Sequence, residues 1–316
     1  MKYFIALDSG GTKTDAVLCD ETGHILSRVL DKGCNAGDLG FPVARVRLAD
    51  IMDRLLAGVQ HPVAAVYAGI AGASPKSSGF PQDVLLPRIG SEAILQVAND
   101  GPMLITGMLG RADGCGMIAG TGSSLFVRQG GQIVSKIGGR GYLIDTGGSA
   151  FEIGRDGIAA AYRALDGQSE HTMLVEMLEQ AMGFPVMKAH GHIYDKENGG
   201  RRYIASFARV VFDAWRQGDW AATEIIQRGA EKQASLVKAA AKLFFGDFTV
   251  VLNGGVHLNA PDYAPLIQAL VPPRAHLVRA DVPPVFGALL EAMYDAGLDP
   301  DPHGSIRQQF MADYTR

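Results

Sequence analysis

Residues 2–20 read KYFIALDSGGTKTDAVLCD. The run 2–8 is almost continuously apolar and rich in β-formers, the pattern of a buried strand. Ser9-Gly10-Gly11 interrupts it as a turn, and 12–20 reads as a second strand. A further turn at Glu21-Thr22-Gly23 leads into a third strand over 24–30. Three strands joined by short turns form an antiparallel meander, not a strand–helix unit.

Working outward, 38–59 carries an amphipathic helical pattern with Val43, Val46, Leu48, Ile51, Leu55 and Leu56 as its apolar positions. Strands follow at 63–69 and 94–98, the second ending in Asn99-Asp100. Pro102 stands where a first helical turn tolerates it, ahead of a helix over 103–109. From Gly116 the opening pattern recurs: strand 117–120, glycine turn 121–122, strand 123–128, turn 129–131, strand 132–137. This is a degenerate internal repeat of 2–31, which predicts a duplicated α/β fold with a cleft between its halves. The division falls at 1–112 and 113–316. The second part carries a mostly helical insertion over 155–245, strands at 249–252 and 276–279, and a final helix at 286–296 expected to pack back on the first domain.

The chain has 316 residues, 47% hydrophobic and 20% charged, with a formal net charge of -4. That length suits two domains, and the acidic balance argues against a nucleic-acid partner. No apolar run approaches the roughly 18 residues of a membrane helix, and 3–7 is too short for a leader, so a cytoplasmic protein without a membrane partner is expected. Cys19, Cys34 and Cys115 show no metal-binding spacing and read as reduced, buried thiols. His190, His192 and Asp195 read as a surface loop rather than a metal cluster.

Five motifs bear chemistry. In DSGGTKT (8–14), Gly10 and Gly11 let backbone amides approach a phosphate. Thr12, Lys13 and Thr14 add donors, and Asp8 suits Mg²⁺, directly or through water. The alternative is an ordinary hairpin; a P-loop is excluded because GxxxxGK[ST] is absent. AGTGSS (119–124) offers Gly120, Thr121, Gly122, Ser123 and Ser124 for the same purpose. Two such turns at matching places of a repeat suit a triphosphate. Asp100 is either a base that accepts a sugar hydroxyl proton during attack on a phosphate or a helix cap. In GGRGYLIDTGGS (138–149), Asp145 suits sugar hydroxyls, with a helix cap by Asp145 or Ser149 as the alternative. NGGV (253–256) suits the base and ribose of a nucleotide, against a plain strand–helix turn. GCGMIAG (114–120) is not a dinucleotide fingerprint, because a strand follows it.

Taken in order, DSGGTKT, ND, AGTGSS, GGRGYLIDTGGSAFEIG, NGGV and PPVFGALLEA resemble the BadF/BadG/BcrA/BcrD ATPase family, from about residue 2 to 296. That family includes N-acetylglucosamine and glucosamine kinases and sits in the actin/hexokinase-like superfamily. The resemblance implies two RNase H-like domains closing over ATP and a sugar, and a homodimer. It implies Thr12 and Thr121 on ATP phosphates and Gly229, Gly254 and Gly255 around the nucleotide. Asp100 is implied as base, with Asn35, Ser124 and Gly139, Arg140 and Gly141 at the sugar. The expected reaction is phosphorylation of N-acetylglucosamine on its 6-hydroxyl. Glucosamine or N-acetylmuramic acid kinases, and an ATPase activating a 2-hydroxyacyl-CoA dehydratase, are the alternatives. The sequence departs from the kinase pattern GWGYLLGDEGS: Arg140 replaces an aromatic residue, Thr146 takes the acidic position, and Asp145 stands one place earlier. An arginine at 140 suits a carboxylate-bearing sugar such as N-acetylmuramic acid.

Overall fold

The computed structural model describes residues 2–59, 62–71, 79–99, 101–145, 147–195 and 200–315, the side chain of Asp38 excepted. It holds two five-stranded sheets of identical order. Strands β1 (Tyr3–Ser9), β2 (Lys13–Asp20), β3 (Ile25–Lys32), β4 (Val63–Ile70) and β5 (Ile94–Ala98) form a sheet ordered β3-β2-β1-β4-β5. Strands β6 (Gly114–Ala119), β7 (Ser123–Gln129), β8 (Gln132–Ile137), β9 (Phe248–Asn253) and β10 (Ala275–Arg279) form the other, ordered β10-β9-β6-β7-β8. Each strand of the first sheet has its counterpart five places later, as the internal repeat predicts.

In the first sheet β1, β2 and β3 pair antiparallel, while β4 and β5 add in parallel. A parallel neighbour needs a crossover, and the helix Phe41–Leu55 supplies it between β3 and β4. Alternation along β1 divides the core. Tyr3, Ile5 and Leu7 face one cluster, shared with Leu48, Ile51 and Leu55 of that helix. Phe4 and Ala6 face a second cluster, built with Val285, Phe286 and Leu289. The crossover helix buries Ala44, Leu48, Ile51, Met52 and Leu55. Val43 and Val46, expected on its apolar face, are 48% and 73% exposed. At 100° per residue they lie well off the face that Ala44, Leu48, Ile51 and Leu55 define.

The chain splits into two compact units: Met1–Asp113 with Arg128–Gln132 and Ala280–Arg316, and Gly114–Val127 with Ile133–Arg279. The sequence division at 112/113 is therefore crossed twice. Ala280–Arg316 joins the first unit because the helix Pro284–Asp295 packs on β1, β4 and the helix Gly101–Leu109. Gly287 and Gly107 permit that approach: a Cβ on Gly287 would stand 1.8 Å from the Met103 carbonyl oxygen, and one on Gly107 3.3 Å from the Gly287 Cα. Arg128 joins it by donating to Thr106 Oγ1 at 2.8 Å and to the carbonyls of Gly110 and Ala112.

The second unit is mainly helical, with Ala150–Leu165, Ala208–Arg216 and the long Trp220–Ala241 around one large apolar cluster. Its strands β6 and β9 pair in parallel, as do β9 and β10. The helices Gln82–Ile89, which carries Pro87 inside it, Ala264–Gln268 and Ser305–Tyr314 have no counterpart in the sequence pattern.

Candidate functional site

Within each unit, the glycine motifs that follow β1, β6 and β9 leave the carboxyl ends of parallel strands. Ser9 at the end of β1 pairs with Ile70 at the end of β4, and Gly69 pairs with Ala98 at the end of β5. Loop 10–12 and Asn99 thus leave the first sheet at one edge. In the second unit Ile118 pairs with Asn253, so AGTGSS and NGGV leave adjacent strands side by side. The carboxyl edge of an open α/β sheet is where ligands bind.

In the first unit, DSGGTKT is a closed hairpin. Gly10 N–H donates to the Lys13 carbonyl at 2.9 Å, and Gly33 N–H to that of Thr12 at 3.1 Å. Gly33 admits no side chain, since a Cβ there would stand 2.3 Å from the Gly10 oxygen. Ser9 and Thr14 share a buried 2.8 Å hydrogen bond, and Ser9 Oγ accepts the Cys34 N–H at 3.1 Å. Segment 33–35 is thereby fastened to the loop, which puts Asn35 beside the phosphate-loop candidates. Asn35 Oδ1 accepts the Gly37 N–H at 2.9 Å, capping a short helix. Thr14 is fully buried, its hydroxyl bonded to Ser9 and donating to the Lys32 carbonyl. It fixes the loop's shape, while Thr12 and Lys13 face solvent. Asp8 is half-buried at the end of β1, an oxygen donor of the kind Mg²⁺ takes.

In the second unit loop 119–124 is the hub. Gly120 N–H donates to the Gly122 carbonyl and its own carbonyl accepts the Ala150 N–H, both at 2.8 Å. Ser123 Oγ, buried, donates to the Gly147 carbonyl at 2.8 Å. A Cβ on Gly139 would stand 2.8 Å from the Ser124 Cβ, and one on Gly254 2.4 Å from the Ala119 oxygen. Thr121, Gly122 and Ser124 remain partly exposed. Gly229, on the helix Trp220–Ala241, lies against Gly148: a Cβ on Gly148 would meet the Gly229 oxygen at 2.4 Å. Gly120, Gly122, Ser123, Ser124, Gly139 and Gly254 thus form one contiguous surface, and Gly255 is exposed as the first residue of the helix Gly255–Asn259.

Loop 138–149 closes on itself. Gly141 bridges Asp145, whose N–H donates to the Gly141 carbonyl at 2.8 Å and whose carboxylate accepts the Arg140 N–H at 3.3 Å. The Arg140 side chain is exposed. Ser149, not Asp145, caps the helix Ala150–Leu165, accepting the Glu152 N–H. Asp100 and Thr146 lie outside the described residues.

Three features of the second unit carry no local sequence signal. Buried Glu152 accepts the Gly148 N–H at 2.9 Å and pairs with Lys232. Gln233 Nε2 donates to the Gly148 carbonyl at 2.9 Å. Arg201 reaches Gly122 across the fold. The capping pattern Ser149-x-x-Glu152 was legible, but its link to Lys232 and Gly148 was not.

Burial raises all three thiols above their ordinary pKa, Cys115 to about 12, so they stay protonated at neutral pH. Burial pulls His257 down to about 4, keeping it neutral. Among the described residues no group of three or more His, Cys, Asp or Glu could hold a metal ion, and no helix is long and apolar enough to cross a membrane.

A model of the BadF/BadG/BcrA/BcrD ATPase family matches residues 5–292. The chain belongs to that family. It is 29% identical over 269 residues to an N-acetylmuramic acid/N-acetylglucosamine kinase from Clostridium acetobutylicum, covering 82% of this chain and 87% of that one. It is 24% identical to an N-acetyl-D-glucosamine kinase from Dictyostelium discoideum, over 92% and 98% of the two chains. The solved structure of a candidate N-acetylglucosamine kinase from Porphyromonas gingivalis superposes with a TM-score of 0.73 at 20% identity, covering 94% of this chain and all of that one. The two mixed five-stranded sheets with their helices are the actin/hexokinase-like fold.

Proposed function

We propose that this family member phosphorylates an amino sugar at the expense of ATP, with N-acetylglucosamine as substrate and its 6-hydroxyl as acceptor. One observation carries the reading: glycine-built loops at the carboxyl ends of parallel strands recur in both units, at matching strands of a duplicated sheet. The two curated relatives act on this class of sugar.

In this reading the tight turns at Gly10, Gly11 and Gly120 let the loops approach the phosphates, and Thr12, Lys13, Thr121 and Gly122 donate to phosphate oxygens. Pre-formed donors need no reorganisation as charge develops, which is the main source of rate in phosphoryl transfer. The sugar hydroxyl oxygen bonds to the γ-phosphorus and the bond to the ADP oxygen breaks. The hydroxyl proton passes to the Asp100 carboxylate. Asn35, Ser124, Gly139, Arg140, Gly141 and Asp145 hold the sugar, and Gly229, Gly254 and Gly255 border the nucleotide. Asp8 would hold Mg²⁺, which supplies charge neutralisation on the phosphates when bound. A cytoplasmic homodimer belongs to the same proposal and rests on the family resemblance. Phosphorus NMR of the product formed from ATP and N-acetylglucosamine tests the reading. A sugar 6-phosphate supports it, and free phosphate alone opposes it.

A further inference from the structure

Arg201 opens the helix Gly200–Ser206, 79 residues beyond the loop it reaches. A Cβ built on Gly122 would stand 2.7 Å from its Nη2 and 4.0 Å from its Cζ. The guanidinium thus lies directly against the Gly122 backbone. The same group lies 5.4 Å from the centroid of the Tyr142 ring, close enough for a cation–π contact that fixes its plane. Arg201 therefore stands beside both the loop 119–124 and the loop that runs from Gly138 to Ser149.

Its side chain is partly exposed. Three other arginines of this unit are paired with carboxylates: Arg155 with Asp156 at 2.7 Å, Arg216 with Asp262 at 2.7 Å, and Arg228 with Asp156 at 3.7 Å. Among the described residues Arg201 has no such partner, and its Nε is buried without a hydrogen bond. A guanidinium stays charged at any physiological pH. A donor stripped of water and left unpaired is unfavourable, and more so when charged. Native structures hold few such groups, and each calls for a reason. A planar fork beside a glycine loop matches the paired oxygens of a phosphate or a carboxylate.

We propose that Arg201 binds an anionic oxygen group of a substrate seated on the loop 119–124, either a phosphate of the nucleotide or the carboxylate of an acidic amino sugar. This rests on the kinase reading above and adds to it a residue that positions the nucleotide or selects the sugar.

The test uses the full chain with R201Q, which removes the charge, and R201K, which keeps the charge but loses the fork. Calorimetric titration with a non-hydrolysable ATP analogue and with N-acetylmuramic acid reads binding directly. Steady-state KM values for ATP, N-acetylglucosamine and N-acetylmuramic acid read it in turnover. A phosphate contact weakens nucleotide binding about 10- to 100-fold in R201Q whichever sugar is present. A carboxylate contact weakens only N-acetylmuramic acid by that factor and leaves N-acetylglucosamine unchanged. In either case R201K recovers part of the loss, and its thermal midpoint confirms folding should R201Q fail to fold. Unchanged affinity of both variants for both ligands overturns the proposal. Failure of the wild type to phosphorylate any sugar refutes the kinase reading alone, because the calorimetric comparison of wild type and R201Q with the nucleotide does not depend on turnover.

Discussion

Gly254 packs directly on the backbone of Ala119. A Cβ on Gly254 would stand 2.4 Å from the Ala119 oxygen and 2.9 Å from its nitrogen, and its φ is +95°. Both constraints forbid a side chain, one by contact with main chain that cannot swing away, the other by conformation. The pair welds NGGV to AGTGSS, the two loops that leave β9 and β6. Gly254→Ala is expected to lower stability by roughly 2–4 kcal/mol and to weaken nucleotide binding more than sugar binding. Denaturant melts with and without nucleotide measure both. A fully stable Gly254→Ala with normal nucleotide affinity would contradict this packing.

The strands were legible because buried strands are continuous apolar runs and the turns between them carry paired glycines. The repeat of 2–31 at 117–137 conveyed that the two halves are built alike. The face of the helix Phe41–Leu55 was misjudged at Val43 and Val46: apolar identity alone suggested burial, whereas phase relative to Ala44, Leu48 and Ile51 decides it. The helix Gln82–Ile89 was hidden by Pro87 inside it, a residue that ordinarily ends a helix. At the site, the glycine loops announced themselves, but the partners that lock them did not. Arg201 and Lys232 lie far along the chain from Gly122 and Glu152, and no local pattern encodes a contact of that span. Thr14 shows the converse: its place in a donor-rich motif suggested a ligand role, and the pairing of β1 with β2 buries it against Ser9 instead.

Glu152 ties Gly148 to the helix Trp220–Ala241. One carboxylate oxygen accepts the Gly148 N–H and the other meets Lys232 Nζ. Glu152→Ala leaves a buried N–H without its acceptor and should cost about 1–3 kcal/mol. Glu152→Gln keeps an acceptor and should lose less. Thermal midpoints of the two variants rank them, and equal losses would mean that packing rather than this hydrogen bond is at stake.

Burial without a hydrogen-bond partner holds His257 neutral, with its pKa near 4 against an ordinary 6.5. Between those values the unfolded chain binds a proton that the folded chain does not, so stability falls as pH drops from about 6.5 to about 4. Asp295, raised to about 6 by burial and by Glu291, acts in the opposite sense, losing its contribution as pH rises through that value. His257→Leu should therefore flatten the acid side of the stability curve and leave the Asp295 dependence in place. Melting temperature against pH from 4.5 to 7.5 for wild type and variant decides it, and parallel curves would refute the assignment to His257.

Cys19, Cys34 and Cys115 are buried, with thiols held protonated. Since the thiolate is the reactive form, native protein should react with a disulfide reagent far more slowly than unfolded protein. Spectrophotometric thiol titration before and after denaturant reads this. Immediate reaction of all three in the native state would contradict the burial described.

If Asp100 is the base, Asp100→Asn should reduce turnover by roughly 100-fold or more while nucleotide affinity is retained. Near-normal turnover in this variant would remove Asp100 from the mechanism without touching the kinase reading.

Most direct is the release of ADP by the purified protein with Mg-ATP, measured across glucose, glucosamine, N-acetylglucosamine, N-acetylmannosamine and N-acetylmuramic acid. A kinase for N-acetylglucosamine releases ADP much faster with that sugar than without it, and that stimulation is expected. Slow ADP release that no sugar of the panel stimulates would contradict the kinase reading.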